Sequence, residues 1–538
     1  MSTAVYIVNN ISLPVSAATE DAYALAKERL RRAHVSLKNV SFSIYRKSVD
    51  ARKKKDVRLV YSVAADGIAA NIPAAVCKEL NIAKLVNENL SFSIGTEPLA
   101  KAPVVVGAGP CGLFAALLLA KNGYAPIVLE RGGNVEERVS LVDRFHRLQI
   151  LDPETNVQFG AGGAGTFSDG KLITRVNDPH ASFILSTLVE MGADPDIMIK
   201  AKPHVGTDVL RTVTQNLIDA IVANGGQVLY HTKFLKPITN NGVVEAVETS
   251  RGRIPAGALI LAIGHSARDT YESLLSEGMV LEGKPFSVGM RIEHRTEDID
   301  RAMYGDFAGH PALGHAEYAL SHNTKIRGVY TFCMCPGGTV VAATSEESGV
   351  VVNGMSERAR NGSNSNSAVV CSIFKEDYGA TPQRAIAFQT AIEHAAFAAG
   401  GKNYSAPIIS VGDFLDAKAP SIPRGRVEPT YMNGKHVTLA RPESYLPRFV
   451  CDGIRDAIRA FDTKIEGFAS PEAILTGAET RTSAPIRILR DPATHLALGY
   501  KNLYPGGEGA GYAGGITSAA LDGLHIAVSF MERFAPIL

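Results

Sequence analysis

The chain has 538 residues, 46% hydrophobic and 20% charged with 50 glycines, a balance that excludes a disordered chain and suits a folded α/β protein rich in tight turns. That length allows two or three domains, each with its own core. Lys and Arg (55) nearly cancel Asp and Glu (54), so the net charge of +1 gives no overall attraction to nucleic acid or anionic lipid.

The opening MSTAVYIVNNISLPV lacks the basic segment and long apolar core of a secretory signal. The most lipophilic run, GLFAALLLA at 112–120, falls short of the roughly 18 residues that span a bilayer. Cys77, Cys111, Cys333, Cys335, Cys371 and Cys451 are scattered, as suits reduced thiols in a cytoplasm. The expectation is a soluble cytoplasmic protein without membrane contact.

Residues 1–98 carry the β-like runs AVYIV, VSFSIYRKSV and VRLVYSVAA, with a helical segment EDAYALAKERLRRA after the first, and so predict a small α+β domain. The basic run ARKKKD at 51–56 reads as a solvated hairpin turn, with a docking patch as the alternative.

After the linker TEPLAKAP, the stretch VVVGAGPCGLFAALLLAKNGYAPIVLERGG predicts strand, glycine turn, helix and strand. Val104 to Val106 form the buried strand, Gly107 allows the sharp turn, Gly109 lets backbone approach a pyrophosphate, and Gly112 permits close helix–strand packing, tightened by Ala116. Pro110 and Cys111 lie between them at the helix start, whose free N–H groups favour phosphate. Glu130 ends the second strand, where a carboxylate bonds the ribose hydroxyls of an unphosphorylated adenosine and repels a 2′-phosphate; Arg131 packs beside it.

FGAGGAGTFSDGKL at 159–172 repeats the G-x-G-x-x-G spacing with Gly160, Gly162 and Gly165. No aliphatic strand precedes it, Asp169-Gly170 makes a turn, and no acidic strand end follows, so it is not a second dinucleotide loop. Beyond it, DVLRTVTQNLIDAIVANGGQVLYHTKF predicts a helix and a strand, and VVEAVETSRGRIPAGALILAIGHSA a β-meander ending in a buried strand. From 285 to 475 the pattern is mixed, with NGSNSNS at 361–367 as a polar low-complexity loop and RAIAFQTAIEHAAFAAG at 384–400 as a helix. The last sixty residues hold glycine turns and a terminal helix; NLYPGGEGAGYAGGITSAALDGLHIAVSF sets Gly507 and Glu508 in a turn and Gly514, Gly515 and Ile516 at the helix start.

At this C-terminal segment the chain resembles the two-dinucleotide-binding-domain flavoproteins. The resemblance implies that Glu508 bonds the ribityl chain of FAD, that Gly515 and Ile516 face the flavin C2 carbonyl, and that Gly264, closing LILAIGHSA, passes near the cofactor. The loop at 159–172 is similar to the flavin-side loop of a bacterial family of FAD-dependent, or FAD-utilising, dehydrogenases of no named substrate. KSVDARKK, KPFSVGMRIEH, TFCMCPGGTVVAATSE and the C-terminal glycines match that family as well, so the likeness covers essentially the whole chain. It implies that Gly162, Gly163, Gly165, Thr166, Ser168, Gly170 and Lys171 belong to the flavin side of the site.

The expectation is an α/β fold holding one FAD: an α+β domain at 1–98, a discontinuous Rossmann-type FAD-binding domain at 99–284 and 476–538, and an inserted α+β substrate or cap domain at 285–475. The function expected is an FAD-dependent oxidoreductase moving a hydride between an organic substrate or transient NAD(P)H and flavin N5. The alternative is a flavoprotein that binds or modifies RNA or a protein partner through its N-terminal domain, although neutral charge argues against extensive phosphate contact.

Few side chains invite a catalytic reading, since a flavin does the difficult chemistry itself. Lys171 and Ser168 can donate to flavin N5 or to a substrate carboxylate, or Ser168 and Asp169 can simply close the turn. Cys333 and Cys335, in FCMCPGG, alternate along a strand-like run and so point to one face; they read as small buried residues under a Pro-Gly-Gly turn rather than as a disulfide relay. His310, His315 and His322 fit no zinc spacing, and no metal site is expected. His265 and Arg268 follow the flavin-adjacent strand and either bind substrate or, through Asp269, cap the next helix. Arg481 and Arg487 suit either an anion clamp or ordinary salt bridges.

Overall fold

Alternating apolar residues pair the strands Ser41–Asp50, Arg58–Ile68, Ala4–Pro14 and Ile82–Lys84, in that spatial order, into an antiparallel sheet. The helix Thr19–Arg32 covers it with Ala22, Ala26 and Leu30, three residues on one helical stripe. The basic run 51–56 lies in the exposed hairpin connection, where Arg52 bonds Asp50. The computed structural model describes residues 3–69, 71–86, 90–174, 176–323, 327–423 and 425–537.

A parallel sheet follows, in the order Leu503–Pro505, Ala258–Leu261, Pro103–Val106, Ile127–Leu129, Gln227–Leu229. Both faces of Pro103–Val106 are buried, which is why its sequence is continuously aliphatic rather than alternating. The helices Pro110–Lys121 and Ile516–Met531 lie side by side on this sheet. A Cβ on Gly523 would meet the Cys111 carbonyl oxygen at 2.1 Å, so the terminal helix can come this close only as glycine. The meander expected from sequence is three strands, Phe234–Asn240, Val243–Thr249 and Gly252–Pro255. Its supposed last strand, Ala258–Leu261, leaves the meander for the parallel sheet, where all four of its residues are buried.

The third unit is a seven-stranded mixed sheet ordered Ser321–Asn323, Gly328–Cys335, Asn364–Ile373, Phe286–Arg295, Ile474–Glu479, Ala406–Ser410, Val437–Leu439. Two expectations change here. Residues 364–367, read as part of a polar loop, are buried and begin a central strand. Their side-chain oxygens find donors in place: Asn366 accepts from Arg291 at 2.8 Å, Ser367 from the Tyr318 hydroxyl at 3.1 Å, and Ser365 from the Gly337 N–H at 3.3 Å. The strand Ile474–Glu479 also runs across the domain boundary drawn between 475 and 476. One apolar core joins this sheet to the N-terminal sheet, through residues such as Val8, Leu59, Val288 and Val369, and separate clusters fill the two faces of the parallel sheet. No helix among the described residues is long and apolar enough to cross a membrane.

Candidate functional site

The carboxyl ends of the parallel strands open on a cleft of about 330 Å3. Gly107 turns the chain out of the first strand with φ +100°, and a Cβ there would meet the Ala262 carbonyl oxygen at 2.3 Å. Gly112 lies beneath that turn and off the cleft wall; its Cβ would strike the Gly107 oxygen at 1.9 Å. Gly109, Pro110 and Cys111 line the cleft, and the helix Pro110–Lys121 begins at Gly109 without a side-chain cap. Glu130 is buried on the wall, its carboxylate accepting the N–H groups of Ala108 at 3.0 Å and of Gly132 and Gly160 at 2.9 Å. Arg131 is held by Glu154 and Asp269 and lies 4.0 Å over the Phe159 ring.

No strand precedes the second glycine loop, which packs directly on the first. The Gly162 N–H donates to the Ala108 oxygen at 2.8 Å, and a Cβ on Gly163 would meet Gly109 Cα at 3.0 Å. Fully buried Arg138 fixes this loop from behind by donating to the carbonyls of Asn156, Val157, Gly160 and Ala161. Gly163, Gly165, Ser168, Gly170 and Lys171 reach the cleft, whereas Gly162 and Thr166 support the loop from outside the wall. Ser168 closes the turn by donating to the Gly165 oxygen at 2.7 Å and accepting from the Gly170 N–H at 3.1 Å. Asp169, fully buried, does more than make a turn. It pairs with Lys171 at 2.7 Å and takes a two-pronged bond from Arg360 at 2.6 and 3.0 Å; these cations hold its carboxyl well below the ordinary range despite burial.

Gly264 and His265 follow the strand Ala258–Leu261 along the same wall. Gln158 Nε2 donates to the Ala343 oxygen at 3.2 Å, which turns its Oε1 toward Ser266 to accept the hydroxyl proton at 3.2 Å. Ser266 Oγ then accepts from His265 Nδ1–H at 2.9 Å, leaving Nε2 as the ring's lone-pair acceptor. Burial, with Arg481 and Arg268 nearby, lowers the His265 pKa to about 3, so the ring is neutral. Arg268 and Arg481 both grip the buried Glu393, at 2.8 and 2.9 Å, which makes Arg481 a cleft-wall residue with its charge already paired.

Three of the readings are corrected here. Asp269 does not cap the helix Arg268–Ser276, whose N-cap is Ala267; Asp269 bonds Arg131 and Lys233 instead. Arg487 lies outside the cleft, 3.6 Å from Glu282 and 5.3 Å from the Tyr512 ring centroid. Cys333 is not a buried filler: it is half-buried on the cleft wall, and only Cys335 is fully enclosed. Of the three histidines, His315 bonds Asp300 at 2.7 Å, and none of the three lines the cleft. Asp178, His180 and His525 bring their ligand atoms within 4.8 Å of one another elsewhere, Asp178 pairing with His525 at 2.6 Å.

Glu508, Gly507, Gly514, Gly515 and Ile516 close the cleft from the C-terminal segment. The helix Ile516–Met531 begins at Gly515, again with no side-chain cap. Burial raises the Glu508 pKa to about 7, with Lys284 acting in the opposite sense. Gln158, Phe159, Phe332, Asn353 and Thr482 also line the cleft. Phe159 and Phe332 stand in the segments FGAGGAGTFSDGKL and TFCMCPGGTVVAATSE without having been singled out there, and nothing in the sequence pointed to Asn353.

A family described as FAD-dependent protein, C-terminal domain-like, matches residues 285–482, and a domain of unknown function matches residues 7–66. A Clostridium beijerinckii protein, described as an uncharacterized protein, is 43% identical over 532 residues, 98% of each chain. The chain belongs to this family of FAD-dependent proteins. Among solved structures, this FAD-dependent protein aligns with glycine oxidase from Bacillus cereus at 11% identity, over 79% of this chain and 94% of that one, with a TM-score of 0.35. It aligns with CtdE in complex with FAD at 11% identity, over 79% and 83% of the two chains, with a TM-score of 0.31. The residues of the cleft suit the cofactor: two uncapped helix N-termini open on one wall, where orphan N–H groups favour an anionic ligand. Glycines at 264, 514 and 515 leave cleft space clear, since a Cβ on any of them would meet no atom within 4 Å.

Proposed function

We propose that this chain is a Rossmann-type, FAD-dependent oxidoreductase of the dehydrogenase or reductase kind, moving a hydride between a small organic substrate or transiently docked NAD(P)H and flavin N5. The observation that carries this reading is that the glycine turn at 107, the loop at 160–171 and the helix start at 515 share one cleft. In this reading residues 99–284 and 476–538 hold the cofactor and 285–475 cover it. Glu130 receives one ribose hydroxyl on Oε2, the acceptor site its three backbone bonds leave free, since a carboxylate offers about four such sites. Gly107, Gly109, Pro110 and Cys111 receive the pyrophosphate, and Glu508 the ribityl chain. The helix start at Gly515 and Ile516 faces the flavin carbonyl, where its dipole stabilises negative charge by about 1 to 2 kcal/mol.

Bound there, FAD supplies two-electron redox chemistry, and the chain positions the other groups around it. Lys171, pinned by Asp169 and with its pKa raised by that carboxylate against the effect of burial, is a fixed cation that holds a substrate carboxylate or hydroxyl oxygen. Neutral His265 accepts a hydrogen bond on Nε2 from a substrate hydroxyl or amine and so orients it. The test is anaerobic mixing of flavin-loaded protein with NADH, NADPH and a panel of small hydroxy and amino compounds. Bleaching of the yellow band by one of them is the expected result; a fully loaded protein that none of them reduces contradicts the proposal. With whichever compound reduces the flavin, His265→Asn is expected to slow reduction by about tenfold, the loss of one orienting hydrogen bond, at unchanged flavin content.

A further inference from the structure

We propose that Cys333 and Cys335 form a dithiol–disulfide couple that exchanges two electrons with the flavin, with Cys333 as the thiol on the cleft side. The inference rests on the reading that FAD occupies the cleft and works there in redox chemistry.

The backbone carries the first part of the argument. On a flat strand, side chains two residues apart are about 6.6 Å apart along the chain, farther than the roughly 3.5 to 4.5 Å between the Cβ atoms of a disulfide. The strand Gly328–Cys335 is not flat at this point. Its register against Asn364–Ile373 shifts between Phe332 and Cys335, and Cys333 takes φ +46°, a left-handed conformation that disfavours any side chain. The bulge brings Cys335 Sγ to 3.3 Å from the Cys333 carbonyl oxygen, folding the second thiol back onto the first residue. Backbone strain of this kind persists where surrounding structure enforces it, and here Arg291 does so by donating to the Cys333 carbonyl.

The surroundings carry the second part. Cys333 lines the cleft together with Lys171 and Glu508, whereas Cys335 is fully buried behind it. Fully buried Arg291, paired with Glu479 at 2.9 Å, also lies 3.9 Å from Cys335 Sγ, so a cation backs the pair while Lys171 acts from the cleft. The Cys335 hydrogen bond and these cations hold the Cys333 thiol below its ordinary range, and the same coupling together with burial pushes Cys335 up. An accessible, acidified thiol in front of a buried, protonated one is the asymmetry that thiol–disulfide chemistry uses. Cys371 and Cys451 have burial without this setting, and burial raises both.

The step balances on groups already named. The Cys333–Cys335 S–S bond breaks, two electrons and one proton pass from reduced flavin to the sulfurs, and solvent supplies the second proton, leaving two thiols and oxidised flavin. A disulfide closed through one intervening residue is strained, and strained disulfides are the oxidising ones, so electrons run from flavin to sulfur.

The experiment uses flavin-loaded full-length protein oxidised with diamide, freed of reagent and titrated anaerobically with dithionite. Wild-type protein is expected to take up about twice the reducing equivalents per flavin that Cys333→Ser or Cys335→Ser takes up, with Cys371→Ser matching wild type. The peptide containing both cysteines should be lighter by two hydrogens before titration and not after it. Should the variants fold poorly, wild-type protein alkylated with N-ethylmaleimide while reduced gives the same comparison. Fully flavinated wild type that titrates like the alkylated protein, or that shows no cross-linked peptide, overturns the couple and leaves the flavin reading intact. Protein that folds yet holds no flavin overturns both.

Discussion

Glu130 Oε1 accepts the Gly160 N–H at 2.9 Å while its Oε2 accepts the Ala108 N–H at 3.0 Å, so one carboxylate joins the two glycine loops. The same side chain that ends the second strand thus holds the loop thirty residues later in contact with the first turn. Glu130→Ala strands three buried donors, each costing about 1 to 3 kcal/mol. The variant should purify nearly colourless, with a Tm lowered by about 2 to 4 °C for each kcal/mol lost. Glu130→Gln is the sharper test, because its NH2 group faces an N–H donor. Its FAD affinity should fall about tenfold for each 1.4 kcal/mol lost, read by flavin release in equilibrium dialysis. Wild-type affinity and Tm in Glu130→Gln would show that the carboxylate does not join the loops.

Gly163 tests the contact from the other side. Its φ of +63° and the 3.0 Å approach of a Cβ to Gly109 Cα mean that Gly163→Ala must separate the loops. Left-handed backbone costs a non-glycine residue roughly 1 to 2 kcal/mol before any clash is counted. Since both partners in the clash are backbone, no side chain can give way. The variant should fold, as judged by circular dichroism, with flavin occupancy at least about tenfold below wild type at equal added FAD. Normal occupancy would mean that the second loop does not need to touch the first to complete the site.

Where the sequence carried a local mechanism, the fold was legible. The glycine turn, its aliphatic strand, the helix after it and the acid at Glu130 obey rules that act within thirty residues, and each stands where those rules put it. The buried strand at 364–367 was illegible because the donors to its side-chain oxygens, on Arg291, Tyr318 and Gly337, are none of them near it in sequence. The helix Pro382–Ala399 was plain from its composition, but not that its Glu393 would neutralise Arg268 and Arg481. Alternation suggested that Cys333 and Cys335 share a face; the bulge that folds Cys335 Sγ back onto the Cys333 carbonyl has no signature in FCMCPGG.

Glu508 makes stability depend on pH in a defined direction. Its folded pKa of about 7 lies above the ordinary 4.5, so between those values the folded protein binds a proton that the unfolded chain has released. Stability contributed by this group is therefore present in full below about pH 4.5 and declines as pH rises to about 7. Chemical denaturation of the apoprotein at a series of pH values should show the difference between wild type and Glu508→Gln narrowing in acid and widening toward neutrality, with Glu508→Gln the more stable at pH 7. A difference independent of pH across that window would mean that Glu508 titrates as an ordinary solvent-exposed carboxyl.

Arg138 does not itself line the cleft, yet its guanidinium is fully buried and donates to four carbonyls of the segment Asn156 to Ala161. Burial lowers its pKa to about 9, with the Glu130 charge opposing that shift, and no carboxylate among the described residues pairs with it directly. Its bonds are those of a planar fork matched to oxygens on two sides, which the compact ammonium of lysine cannot reproduce. Arg138→Lys therefore leaves one or more of the buried carbonyls of Asn156, Val157 and Ala161 without a donor, at about 1 to 3 kcal/mol each. Hydrogen exchange should rise in residues 156–163 while the strand Pro103–Val106 stays protected, and flavin should be retained less well although every cleft residue is unchanged. If exchange instead rises evenly over the whole parallel sheet, Arg138 supports the core in general rather than the second glycine loop.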